Sequence, residues 1–189
     1  MSSATQVSSA LSYNPWQRGF HWGMAIIILI AIALGVTAAE LPRDALRSQI
    51  LMVHKSFGVA IFALLALRVV LRLAAGAPPY RVPLDRLTGI GAKAAHLALY
   101  LLMLLMPVTG YVTSSADGHP VPFFGLGNLP NVAPRSHELA DRASDAHFVF
   151  AWAIGIVLSL HVAAALWHAW AKRDEVMDRM WPGFVRRFV

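Results

Sequence analysis

Four runs of about 20 mostly apolar residues dominate the chain, the length a helix needs to cross the hydrocarbon core of a membrane. They are "FHWGMAIIILIAIALGVTAA" (20–39), "ILMVHKSFGVAIFALLALRVVL" (50–71), "AAHLALYLLMLLMPVTGYVTSSA" (94–116) and "DAHFVFAWAIGIVLSLHVAAALWHAWAK" (145–172). With their flanks they predict transmembrane helices over about 15–39, 48–73, 92–115 and 143–171, arranged as one all-α integral membrane domain spanning 1–189. Asn14 and Pro15 read as the cap and first position of the first helix, and Pro107 should kink the third. Only 12 residues, 56–67, separate Lys55 from Arg68, so both must snorkel or face the bundle interior. The first run is too long, and its leader too free of positive charge, for a cleaved signal peptide. The Pro- and Gly-rich stretch "DGHPVPFFGLGNLPNVAP" reads as irregular coil.

Charge then orients the spans. Arg18, the connection 68–93 and the tail after 171 carry 11 basic residues, against 5 on the other side (Arg43, Arg47, Lys55, Arg135, Arg142). The positive-inside rule puts both termini in the cytoplasm and the loops 40–49 and 117–145 outside. The formal charge of +6 comes from residues flanking apolar runs, with no basic stripe interleaved with aromatics, so nucleic acid is not an expected partner; membrane lipid is. There is no cysteine, which excludes disulfides, thiolate metal sites and covalently attached haem, and leaves any metal to His or carboxylate.

The last run holds three histidines, His147, His161 and His168, with no formal charge between Asp145 and Lys172. His147 and His161 are 14 positions apart, which returns them to within about 40° of one helix face and separates them by roughly 21 Å. Two ligands on one stripe, near opposite membrane surfaces, suit two stacked metal centres. His21 begins the first span at the depth of His161, and His54 begins the second at the depth of His147. The expected pairs are therefore His21 with His161 on the inner side and His54 with His147 on the outer side. His137 lies about 36 Å from His161 on a continuous helix, too far for both to sit in one bilayer. A bare ion with two imidazoles in hydrocarbon would be under-coordinated. Haem supplies four nitrogens of its own and leaves two axial places, so two non-covalent b-type haems are expected, with Gly23 and Gly58 as sites of room for a macrocycle. Two axial histidines leave no open iron position, which favours electron transfer over oxygen binding.

The segments "GFHWGMAIIILI", "MVHKSFGVAIFALLALRVVLRL", "AAHLALYLLMLLMPVTGY" and "AHFVFAWAIGIVLSLHVAAALWHAW" resemble the bacterial cytochrome b561 family over about 13–172. "HKSFG", the H-x-x-L-Y of the third span and the 14-residue histidine spacing carry most of the likeness. The resemblance implies a four-helix bundle with two b haems, held by His21 and His161 and by His54 and His147, in the bacterial inner membrane. It implies electron transfer to quinone, with superoxide outside as one donor. The family is also similar to the cytochrome b subunits of membrane hydrogenases and formate dehydrogenases, which leaves a partner dehydrogenase or hydrogenase as the alternative donor. About 13 residues precede the first helical signal and 17 follow Lys172, so such a partner is expected to be a separate chain. A haem-free transporter would have to explain four imidazoles placed in twos.

His96 and His168 match histidines of the family pattern and are candidates to bond a quinone carbonyl or a haem propionate, with Arg68, Arg72 and Lys93 as further propionate partners on charge alone. Lys55, Arg43, Arg47 and Arg142 are candidates to draw an anion to the outer site, although the outer segments carry six acids to five bases. His119 and His137 read as solvated loop residues. The oligomeric state is not readable.

Overall fold

A computed structural model describes residues 11–184; the tail arginines Arg186 and Arg187, counted above in the charge balance, lie outside that range. Four long helices account for most of the chain: α1 (Pro15–Glu40), α2 (Ala45–Ala75), α3 (Arg86–Ala116) and α4 (His137–Trp167). A π-helical turn, His168–Lys172, extends α4, and a two-stranded antiparallel hairpin, β1 (Val121–Pro122) with β2 (Asn128–Leu129), lies between α3 and α4. All four helices are long and apolar enough to cross a membrane.

All four helices begin before their apolar runs, and the reason is capping. The Asn14 side chain accepts the amide of Gln17 at 2.9 Å with Pro15 in the first helical position. Asp44 accepts Arg47 N at 2.9 Å, Asp85 accepts Thr88 N at 3.0 Å, and Ser136 Oγ accepts Leu139 N at 3.3 Å. These caps, each worth about 1 kcal/mol, start α2, α3 and α4 at Ala45, Arg86 and His137. Residues 48, 92 and 143 are where hydropathy alone would start them. Asp85 lies before its helix, and its hydrogen bonds from Thr88 hold its carboxyl below the usual carboxylate range.

The outer faces of the helices are apolar. Leu29, Val36, Phe62, Leu97, Phe148 and Leu160 are all exposed, while small residues such as Ala31, Ala38, Ala140 and Ala143 are buried. A soluble protein would place those large side chains inside; here lipid is the solvent they suit, and small residues let helices approach.

The described chain divides into two compact units. The first comprises residues 11–22, Leu67–Leu99 and 155–184; the second comprises Gly23–Ala66 and Tyr100–Ile154. In the first unit Ala169 and Met177 form a buried cluster with Trp22, Ala165 and Phe184 packed on it, and Trp22 Nε1 donates to Met180 O at 3.3 Å. The segment after the π-helical turn is thereby fastened to the start of α1.

In the second unit the stretch expected as irregular coil forms the hairpin, docked on α2. Ser56, 1% exposed, accepts the amide of Phe124 at 3.0 Å and lies 3.1 Å from Pro122 O and 2.9 Å from Met52 O, the two carbonyls open to its hydroxyl proton. Phe124 has φ 47, with Gly125 at φ 77 beside it, so the turn is one that local propensity alone would not select.

Candidate functional site

Two histidine pairs are assembled, one in each unit. In the first unit the rings of His21 and His161 lie 6.3 Å apart, centre to centre, with planes at 60°. In the second unit the rings of His54 and His147 lie 6.2 Å apart at 82°. A metal ion between two imidazoles needs about this span: two metal–nitrogen bonds of about 2 Å and two ring radii of about 1.2 Å make roughly 6.4 Å. Among the described residues no group of three or more His, Asp or Glu converges as a metal site. The pairs therefore suit a centre that brings its own equatorial ligands, which is what a haem does.

Hydrogen bonds decide which nitrogen each ring offers. His54 Nδ1 lies 2.9 Å from Ala31 O, and His147 Nδ1 lies 3.0 Å from Met106 O and 3.2 Å from Thr109 Oγ1. A carbonyl only accepts, so each neutral ring carries its proton on Nδ1 and keeps the Nε2 lone pair. Ring orientation and ligand basicity are set in the same way at many metal-bound histidines. Pro107 lies inside α3 beside this contact, and the Thr109 hydroxyl lies 3.0 Å from Met106 O and 2.9 Å from Leu105 O.

The first-unit pair is held differently. Arg68 Nη2 lies 2.9 Å from His21 Nδ1, and a guanidinium only donates, so His21 Nδ1 accepts in this arrangement. His161 has a second imidazole for a neighbour, His96, at 5.3 Å between centres. His21 itself packs edge-on against Trp22 at 5.2 Å.

Two glycines that sequence reasoning passed over shape the second pair. A Cβ on Gly35 would stand 3.0 Å from His54 Cε1, and one on Gly110 would stand 3.1 Å from His147 Cε1. Each glycine leaves the space that a histidine ring fills. Gly23, chosen from the sequence as a site of room, would place a Cβ with nothing within 4 Å, and Gly58 meets only Pro107 Cβ at 4.0 Å. The spacing of Gly35 nineteen residues before His54 carries no local signal; only the helix packing brings them together.

The other sequence candidates fall in distinct surroundings. His168 is 8% exposed in the π-helical turn and its Nδ1 meets Asp174 Oδ2 at 2.5 Å, while His96 is exposed. Arg72 reaches the hydroxyl of Tyr13 at 3.3 Å and the carbonyl of Gly76 at 2.9 Å, and Lys93 is exposed. Of the cations thought to draw in an anion, Lys55 Nζ donates to Pro120 O at 3.3 Å. Arg47 donates to Ala38 O at 2.9 Å, Arg142 pairs with Glu138 at 2.6 Å, and Arg43 is exposed. His119 is exposed beside Asp117 at 2.8 Å, and His137 opens α4 with an exposed side chain.

The chain is 32% identical over 169 residues to cytochrome b561 homolog 2 of Escherichia coli K12, covering 89% of this chain and 90% of that one. It is 29% identical over 171 residues to the probable superoxide oxidase CybB of Yersinia pestis, covering 90% and 96%. Cytochrome b561 homolog 1 of Escherichia coli K12 is 26% identical over 176 residues, covering 90% and 97%. Residues 12–183 match the family described as prokaryotic cytochrome b561, and with four membrane-spanning helices the chain belongs to that family of bacterial membrane cytochromes.

Proposed function

We propose that this chain carries two b-type haems, one between His21 and His161 and one between His54 and His147, and moves electrons from a small donor outside the inner membrane to quinone. The observation that carries the reading is the pair of imidazole separations, 6.3 and 6.2 Å, in a chain of the cytochrome b561 family. The relative named as a probable superoxide oxidase makes superoxide the first donor to test.

Bound between such pairs, haem supplies a reversible one-electron iron couple with no open coordination place. The rest is the work of the chain. The carbonyls of Ala31 and Met106 hold His54 and His147 in the tautomer that leaves Nε2 to coordinate. The apolar helices would pack against the faces of a haem held by these histidines and limit water at the iron. Lys55, next to His54, provides positive charge for an anionic donor at the outer pair.

Superoxide gives up one electron and leaves as dioxygen. Quinone takes two electrons and two protons to become quinol, so two donors serve each acceptor. Those protons need a carrier near the inner pair. His168 with Asp174 is a hydrogen-bonded acid–base couple able to hold one, and His96, exposed and beside His161, is positioned to bond a quinone carbonyl. Both termini lie in the cytoplasm on this reading, as the excess of Arg and Lys at that end favours.

The test is a haem-to-protein ratio with oxidised and reduced spectra on the purified chain, followed by quinone reduction driven by a superoxide source. Two low-spin b haems and superoxide-dependent quinol formation are expected. One haem leaves a single pair in use, and no haem under adequate supply overturns the reading. Two haems without superoxide-driven turnover, together with a co-purifying dehydrogenase, would move the chain to the role of a membrane subunit.

A further inference from the structure

We infer that Arg68 makes the inner histidine pair the more readily reduced of the two sites. The inference rests on the reading above, that haem lies between His21 and His161. Arg68 stands on α2 with its Nη2 2.9 Å from His21 Nδ1, on the imidazole itself. Arginine stays charged at any accessible pH. A fixed positive charge beside a metal centre favours the less positive, reduced form, and in a membrane interior the interaction is weakly screened.

The outer pair receives the opposite influence. His54 and His147 turn Nδ1 towards the carbonyl oxygens of Ala31 and Met106, the negative ends of peptide dipoles. A carbonyl accepting from a ligand imidazole raises its basicity and favours the oxidised, more positive centre. The cation nearest in sequence, Lys55, has its ammonium on the carbonyl of Pro120 at 3.3 Å, and the carboxylate of Asp117 acts on it as well. Both contrasts have one sign, and they send an electron that enters at the outer pair downhill to the inner one. An imidazole coordinated through Nε2 carries its proton on Nδ1, so ligation at His21 turns the guanidinium off that nitrogen. Arg68 remains on α2 in the compact unit that holds His21 and His161, so its charge still acts on that pair with the same sign.

The test is a spectroscopic redox titration of the purified holoprotein, wild type against Arg68→Gln, Arg68→Met and Arg68→Lys, repeated in a His147→Ala background in which the inner centre is read by itself. Either neutral variant is expected to make the inner centre about tenfold harder to reduce, which is 59 mV for a one-electron couple. Arg68→Lys should keep most of the wild-type midpoint, and the outer component should stay where it is. An unmoved or raised inner midpoint, or an equal shift of both components, overturns the inference. So does loss of the inner haem from both neutral variants, since Arg68 would then hold the cofactor instead of tuning it. Failure of the underlying reading looks different: the wild type itself would lack two low-spin components.

Discussion

His54 Nδ1 and the carbonyl oxygen of Ala31 lie 2.9 Å apart, so a ring on α2 is locked by a backbone acceptor on α1. His147 is locked by Met106 O on α3 at 3.0 Å. The rings of His54 and His147 are therefore positioned by two further helices before any ligand is considered, and they belong to one compact unit while His21 and His161 belong to the other.

That division predicts selective loss. On the proposed function, His54→Ala or His147→Ala should lower the haem content of the purified protein from two per chain towards one, with the spectrum of the His21–His161 centre retained. A pyridine haemochrome assay against protein concentration reads this directly. Equal loss of both haems would mean that the units do not fold independently of their ligands.

Gly35 and Gly110 give a finer test of the same pair. Alanine at either position adds a Cβ that would stand 3.0 or 3.1 Å from a ring carbon, closer than nine in ten real Cβ contacts, so the imidazole must yield by a few tenths of an ångström. Alanine also raises helix propensity by about 1 kcal/mol relative to glycine, so overall stability should hold while the ligand geometry changes. The expected signature is an altered low-spin electron paramagnetic resonance signal of the outer centre, with Gly23→Ala, which meets nothing within 4 Å, as the silent control. A normal outer signal in Gly35→Ala would show that His54 has room to adapt.

What was readable in the sequence and what was not separate along a physical line. The four spans were legible because hydropathy over about 20 residues is a property of the chain by itself. The neighbours among the histidines were legible because one helix period relates His147 to His161 and membrane depth relates each to a second helix. The helix starts were less so: Asp44, Asp85 and Ser136 cap polar first turns that hydropathy does not register. Gly35 and Gly110 stayed hidden because their role is a contact between helices, whereas Gly23 and Gly58 were picked out by closeness in sequence. The hairpin was hidden for a similar reason. Its turn depends on Ser56, more than sixty residues away, supplying the acceptor for Phe124 N.

Ser56→Ala should release that hairpin. The substitution removes the acceptor of the Phe124 amide and the donor within reach of Pro122 O, leaving buried polar groups that cost about 1–3 kcal/mol when unsatisfied. Faster amide exchange is expected across 121–129, with haem content and spectrum unchanged, since Ser56 bonds neither histidine. Unchanged exchange would assign the docking to the ring contact of Phe124 with Phe57 at 5.2 Å.

The His168–Asp174 couple separates electron delivery from proton delivery. His168 Nδ1 lies 2.5 Å from Asp174 Oδ2, an imidazole hydrogen-bonded to a carboxylate. Asp174→Asn keeps an acceptor for the Nδ1 proton and removes the carboxylate, so the ring should hold its place while a proton-accepting group is lost. On the proposed function, chemical reduction of the haems should proceed at the wild-type rate in this variant. Their reoxidation by a soluble quinone analogue should slow by about tenfold or more, within the range that positioned acid–base groups contribute. Stopped-flow spectroscopy at the haem bands follows both phases in one protein. Wild-type reoxidation would remove this couple from the proton path and leave His96, the exposed neighbour of His161, as the residue to replace next.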